Sequence, residues 1–175
     1  MENIKLSTRA LSNMALLLAM TVVLSALEHM LPPLPFVPPN VRLGLSNIVT
    51  MYTLFFMGRR YALAMAVMKA VFVLLMRGVT AGILSLCGGV CSVLMIMLLA
   101  MLAGDRLSYL ILSIAGATVH NFAQTAAASV ILKTNLMGIY WPVLLFSGVV
   151  FGSVTGVLLR VVMPVLGNFF KGKEK

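Results

Sequence analysis

The chain has 175 residues, 61% of them hydrophobic and 10% charged, with a mean hydropathy of +1.07. An ordinary soluble domain is about a quarter charged, so there is too little charge here to cover a globular surface, and lipid must be the solvent for most of the chain. The net charge of +9 does not point to nucleic acid. Most lysines and arginines stand singly or in pairs at the ends of apolar runs, where they anchor helices at a membrane interface.

The first nine residues form a short polar head with Lys5 and Arg9, and the run from Ala10 to Leu27 follows without a charge, ended by Glu28 and His29. A basic head before an apolar run resembles a signal peptide. This run, however, is longer than the usual apolar region of about 7–15 residues, and no small-x-small cleavage site precedes Pro32. It is expected to stay as a first transmembrane helix over 10–30, with Ala15 and Ala19 as a small-xxx-small pair suited to docking another helix. Residues 31–40 hold five prolines; they favour extended geometry and cannot form a helix. This apolar segment caps one membrane face, as a plain connector or as a lid over a site.

Arg42 opens a second run, 43–58, which carries Asn47 and is closed by Arg59-Arg60. The third, 61–77, has Lys69 at its centre and Arg77 at its end. The fourth, 79–104, contains Gly82, Gly88 and Gly89, and Asp105-Arg106 makes the next turn. Cys87 and Cys91 lie four apart on this helix, with Cβ atoms roughly 6 Å apart. A disulfide needs about 3.8 Å, so they read as reduced packing residues, and without His or carboxylate nearby they make a poor metal site.

The fifth run, 107–132, carries His120, Asn121 and Gln124 near its middle among small residues. At 3.6 residues per turn, 120 and 124 stack on one face with 121 beside them. Lipid offers no hydrogen bonds, so these groups form either an interhelical clamp or a polar patch facing a substrate. The sixth run, 139–165, has Trp141 at the interface and Gly148, Gly152 and Gly156 at four-residue spacing, a ridge for close packing.

The expectation is therefore an all-α integral membrane protein: one membrane domain over 1–175 with six transmembrane helices. Six spans put both termini on one side, together with most of the basic residues, so the positive-inside rule makes the termini cytoplasmic. Counting about 1.5 Å per helical residue places Glu28, Arg42, Asn47, Arg77, His120, Asn121 and Gln124 in the outer half, with Lys69 near the midplane. An apolar pocket with a few convergent polar groups is the default binding site. Its charge is mostly positive, which suits a ligand that is anionic or amphipathic. Lys69 at the bilayer centre costs about 2.5–3.5 kcal/mol on insertion scales; it either snorkels to polar neighbours or meets that ligand.

Three segments carry a resemblance to a known family: Arg42-Leu-Gly-Leu-Ser-Asn-Ile-Val-Thr50, the region of Ser85-Leu-Cys-Gly-Gly89, and Ala115-Gly-Ala-Thr-Val-His-Asn121. They resemble the small membrane proteins called Gx transporters, also known as heptaprenyl diphosphate synthase component I. That family is similar to the substrate-binding S components of energy-coupling factor (ECF) transporters, six-helix micronutrient binders of about this length. In those proteins a first-helix Ala-xxx-Ala motif docks on a transmembrane coupling subunit, and the first external loop helps gate the site. The resemblance implies docking by Ala15 and Ala19 and gating by residues 31–42.

Three functions compete. As an S component in the plasma membrane, the chain would bind ligand from outside and need a coupling subunit and two ATPases, since it has no P-loop of its own. As part of prenyl diphosphate synthesis, it could only assist: acidic clusters are needed to hold magnesium on diphosphate, and this sequence has a single Asp, Asp105, and no acidic pair. As a partner in quinone or flavin redox chemistry, it would rely on His29 and His120, which lie on different helices and without a haem-attachment cysteine motif. Nothing assembles a nucleophile with its base, so the expected protein is not an enzyme, and no cofactor or metal is implied.

Overall fold

The computed structural model describes residues 8–30, 44–103 and 107–171, and these form six helices. They are α1 (Thr8–Met30), α2 (Leu45–Phe56), α3 (Arg59–Arg77), α4 (Val79–Ala103), α5 (Tyr109–Leu132) and α6 (Leu136–Lys171). Arg42 and the proline-rich stretch lie outside the described residues, as do Asp105 and Arg106.

Each apolar run is a helix, and local chemistry sets the ends. Gly58 and Gly78 have φ of 102° and 91°, a backbone region open to glycine at little steric cost. Met57 and Gly58 therefore suffice to break α2 from α3, and Gly78 alone breaks α3 from α4. Arg59 and Arg60 accordingly begin α3 instead of closing α2. Ser108 caps α5, its hydroxyl accepting from the Ile111 N–H at 3.4 Å. Asn135 accepts from the Gly138 N–H at 3.0 Å, a side-chain cap that starts α6 three residues earlier than expected. At its other end α6 runs on past 165 to Lys171, with Pro142 and Pro164 inside it.

Three helices have stretches long and apolar enough to cross a membrane: Ala10–Glu28, Val79–Ala103 and Leu136–Gly167. The other three fall short for identifiable reasons. The 12 residues of α2 span roughly 18 Å at about 1.5 Å each. Lys69 and three arginines interrupt α3, and His120, Asn121 and Gln124 lower the hydropathy of α5. Large apolar side chains such as Leu75, Leu102, Val130 and Phe146 stand exposed on the outside, as a lipid-facing surface requires.

The most extensive packing is of α5 on α6, then α4 on α5 and α3 on α4; α2 sits inside, against α1, α3, α4 and α6. The glycine ridge of α6 makes the first of these contacts. Cβ atoms built on Gly148, Gly152 and Gly156 would lie 2.8, 2.5 and 2.9 Å from the Cα atoms of Thr118, Ile114 and Leu110. The two backbones therefore touch along three successive turns, running antiparallel.

One apolar cluster gathers residues from all six helices, among them Leu17, Tyr52, Met65, Ile96, Leu112 and Leu159. These positions fall towards the end of the bundle where α1 begins and α6 finishes. At the other end, where α1 finishes and α2 begins, the interior is polar.

Candidate functional site

The polar end contains a cavity of about 100 Å³. Its walls come from all six helices, and they include Asn47, Lys69, Arg77, His120, Asn121 and Gln124. Those are the six described residues among the seven expected to meet a ligand. Arg42, the seventh, lies outside the described residues.

The cavity is held open by two polar links between helices. Glu28, 7% exposed at the end of α1, accepts at Oε1 from the backbone N–H of Leu45 at 2.8 Å. Leu45 is the first residue of α2, and the N-cap residue Gly44 has no side chain to offer. A carboxylate from another helix thus satisfies an otherwise orphan donor at the positive end of the α2 dipole. Two residues on, Asn47 Oδ1 accepts from Lys69 Nζ at 2.9 Å. Lys69 is 8% exposed, and among the described residues this is its one hydrogen bond. Its ammonium stays inside the bundle at the cavity wall, whereas Arg77 is exposed at the end of α3.

The first of these links makes a test of its own. Glu28→Ala should lower stability by about 1–3 kcal/mol, the range for leaving a buried donor unsatisfied. Glu28→Gln keeps an oxygen for Leu45 and should lose less than half of that. Thermal melting of both variants in mild detergent would check the order.

The three polar residues of α5 divide between two roles. Asn121, 3% exposed, turns towards α6 and donates from Nδ2 to Ser147 Oγ at a long 3.4 Å; Ser147 donates onward to the Leu144 carbonyl at 3.1 Å. It serves as an interhelical clamp at the edge of the cavity. His120 and Gln124 turn towards α4 instead, against Gly88. A Cβ there would lie 2.6 Å from Gln124 Cγ and 2.9 Å from His120 Cε1, so the missing side chain is what seats both residues. His120 Nδ1 is buried on this side beside Gly88, and no hydrogen bond of ordinary geometry reaches it among the described residues.

Several wall residues were not among those expected. Ser85 and Ser92 on α4, Ser113 on α5 and Thr155 on α6 all line the cavity. A spacing signal existed: 85 and 92, and 113 and 120, are seven apart, two helical turns on one face. Ala15 and Ala19, by contrast, sit exposed on the outer side of α1, where no part of the described chain covers them.

A family model described as heptaprenyl diphosphate synthase component I matches residues 17–162. The chain belongs to this family. No curated protein and no solved structure matches it. The family's name denotes one component of a synthase and so implies a partner component. In this component I protein, the described residues contain no group of three or more His, Cys, Asp or Glu placed to hold a metal ion.

Proposed function

We propose that the protein is the substrate-binding S component of an ECF-type, ATP-driven uptake transporter of the plasma membrane. In this reading all six helices cross the bilayer with both termini cytoplasmic, and the polar end of the bundle faces outwards. A small molecule that carries an anionic group occupies the cavity, held by Asn47, Lys69, Arg77, His120 and Gln124, with Asn121 bracing the wall and Arg42 approaching from the loop. The observation that carries it is a buried polar cavity, with a lysine in its wall, at one end of an otherwise apolar bundle. Ionisable groups inside a membrane are costly and mark ligand or ion pathways, and a polar ligand gives these a use. Transport energy would come from two ATPases joined through a coupling subunit that docks on Ala15 and Ala19.

The family name favours a second reading, a non-catalytic membrane component of prenyl diphosphate synthesis. One experiment separates the two: pull-down of the tagged protein from native membranes in mild detergent, with the co-purifying proteins identified. Two ATPases and a coupling subunit are expected, and they should be lost in the Ala15→Leu and Ala19→Leu variants, whose larger side chains block close helix approach. Recovery of a prenyl synthase subunit without an ATPase would replace the first reading with the second.

A further inference from the structure

The cavity wall carries two buried groups of opposite charge that attract each other across it but form no close ion pair among the described residues. Glu28 and Lys69 are 7% and 8% exposed, and both line the same cavity. Among the described residues no ion pair joins them; each instead has one neutral partner, the Leu45 N–H for Glu28 and the Asn47 amide oxygen for Lys69. Burying a charge is costly unless it is paired and hydrogen-bonded. Two such charges on α1 and α3, lining one cavity with no ion pair between them, are a split ion pair that a ligand in the cavity can complete.

We propose that the ligand is a compact zwitterion, with its anionic group on Lys69 and its protonated amine on Glu28. Simpler occupants fit this pair less well, even with Arg77 at the exposed end of the cavity adding a second positive charge. A plain anion would satisfy Lys69 but set a second negative charge before Glu28, and like charges in a low-dielectric site repel strongly. A diphosphate makes that conflict worse, since it carries more negative charge. A plain cation meets the converse objection from Lys69. A zwitterion completes both halves and matches the carboxylate and ammonium already in place. Size points the same way: about 100 Å³ is well below the roughly 300–1,000 Å³ of pockets that take drug-sized ligands. A long prenyl chain does not fit inside. The neutral groups around the void, among them His120, Gln124 and Ser85, then read the uncharged part of the molecule.

This inference rests on the binding-subunit reading, and its test is separate from the search for ATPases. Purified protein in lipid nanodiscs would be titrated with α-, β- and γ-amino acids, which vary the spacing of the two charges, and with inorganic diphosphate and farnesyl diphosphate. At least one amino acid should bind, and its N-acetyl and methyl-ester derivatives, each lacking one charge, should bind at least tenfold more weakly. Those comparisons use the unaltered protein and do not depend on any variant folding. Glu28→Gln, which keeps the acceptor for Leu45, should weaken the amino acid at least tenfold while leaving diphosphate binding equal or tighter. Failure of every amino acid to bind, tighter binding of either diphosphate, or an unchanged affinity in Glu28→Gln would overturn the proposal. Farnesyl diphosphate bound to a protein that still co-purifies with ATPases would overturn the ligand class alone and leave the transport reading standing.

Discussion

Gly152→Leu should prevent α5 and α6 from assembling, and Gly152→Ala alone should measurably loosen them. A Cβ at this position would lie 2.5 Å from the Ile114 Cα and 3.0 Å from both the Ile114 nitrogen and the Ser113 carbonyl oxygen. These are backbone atoms, so no side-chain rotation can make room and the helices themselves must separate. Separation at one turn also opens the contacts at Gly148 and Gly156 on either side. Overpacking typically costs about 1–3 kcal/mol, and a clash with backbone puts Gly152→Ala in the upper part of that range. For a chain of this size that corresponds to a fall of about 4–12 °C in Tm. Val149, on the same helix but exposed, supplies the control: Val149→Leu should change Tm by no more than about 2 °C, because surface substitutions are usually within ±0.5 kcal/mol. Melting curves in one detergent would decide it. Equal Tm values for Gly152→Ala and Val149→Leu would refute the close contact.

Lys69→Met should cost ligand affinity about a hundredfold or more while leaving the fold intact. Truncating one partner of a buried, hydrogen-bonded charge pair typically costs about 2–5 kcal/mol, and each 1.4 kcal/mol is about tenfold in affinity. The effect on stability is the difference of two opposing terms. Replacing a buried charge with an apolar side chain of similar shape is often neutral or stabilising, whereas Asn47 loses its donor, at about 1–3 kcal/mol. Tm should therefore move little. Calorimetric titration with whichever probe binds the unaltered protein, beside a melting curve, reads both quantities. A lysine present only to brace Asn47 would give the opposite pattern, with Tm lowered and affinity kept.

The helix pattern was legible because its signals are local. Apolar runs, the charges between them and the four-residue spacing of Gly148, Gly152 and Gly156 each depend on a few neighbouring residues. Where α6 begins was missed by three residues, since the cap on Asn135 extends the helix ahead of the apolar run expected from Ile139. Position along the bundle was legible too: counting residues from the helix ends gathered Asn47, Arg77, His120 and Gln124 at one end, and those residues share a cavity. Rotation was not. Lys69 meets Asn47 across 22 residues and Leu45 meets Glu28 across 17, contacts that depend on how α1, α2 and α3 turn about their axes. The same limit hid the split on α5. A step of about 100° between adjacent helical residues sends Asn121 to α6 while its neighbour His120 faces Gly88 on α4.

The long last helix carries a consequence for the surrounding lipid. Its apolar stretch, Leu136–Gly167, has 32 residues, roughly 48 Å at about 1.5 Å per residue. A typical bilayer is about 30 Å thick in its hydrocarbon core and about 40–45 Å including the headgroups. Upright, the helix would thrust apolar side chains into water. It must lean, bend where Pro142 and Pro164 remove backbone hydrogen bonds, or gather thicker lipid around itself. Because its glycine ridge is locked to α5, a lean of α6 takes α5 with it, together with the cavity wall that α5 supplies. Bilayer thickness would thereby act on the shape of the cavity, and longer acyl chains would let the pair stand straighter.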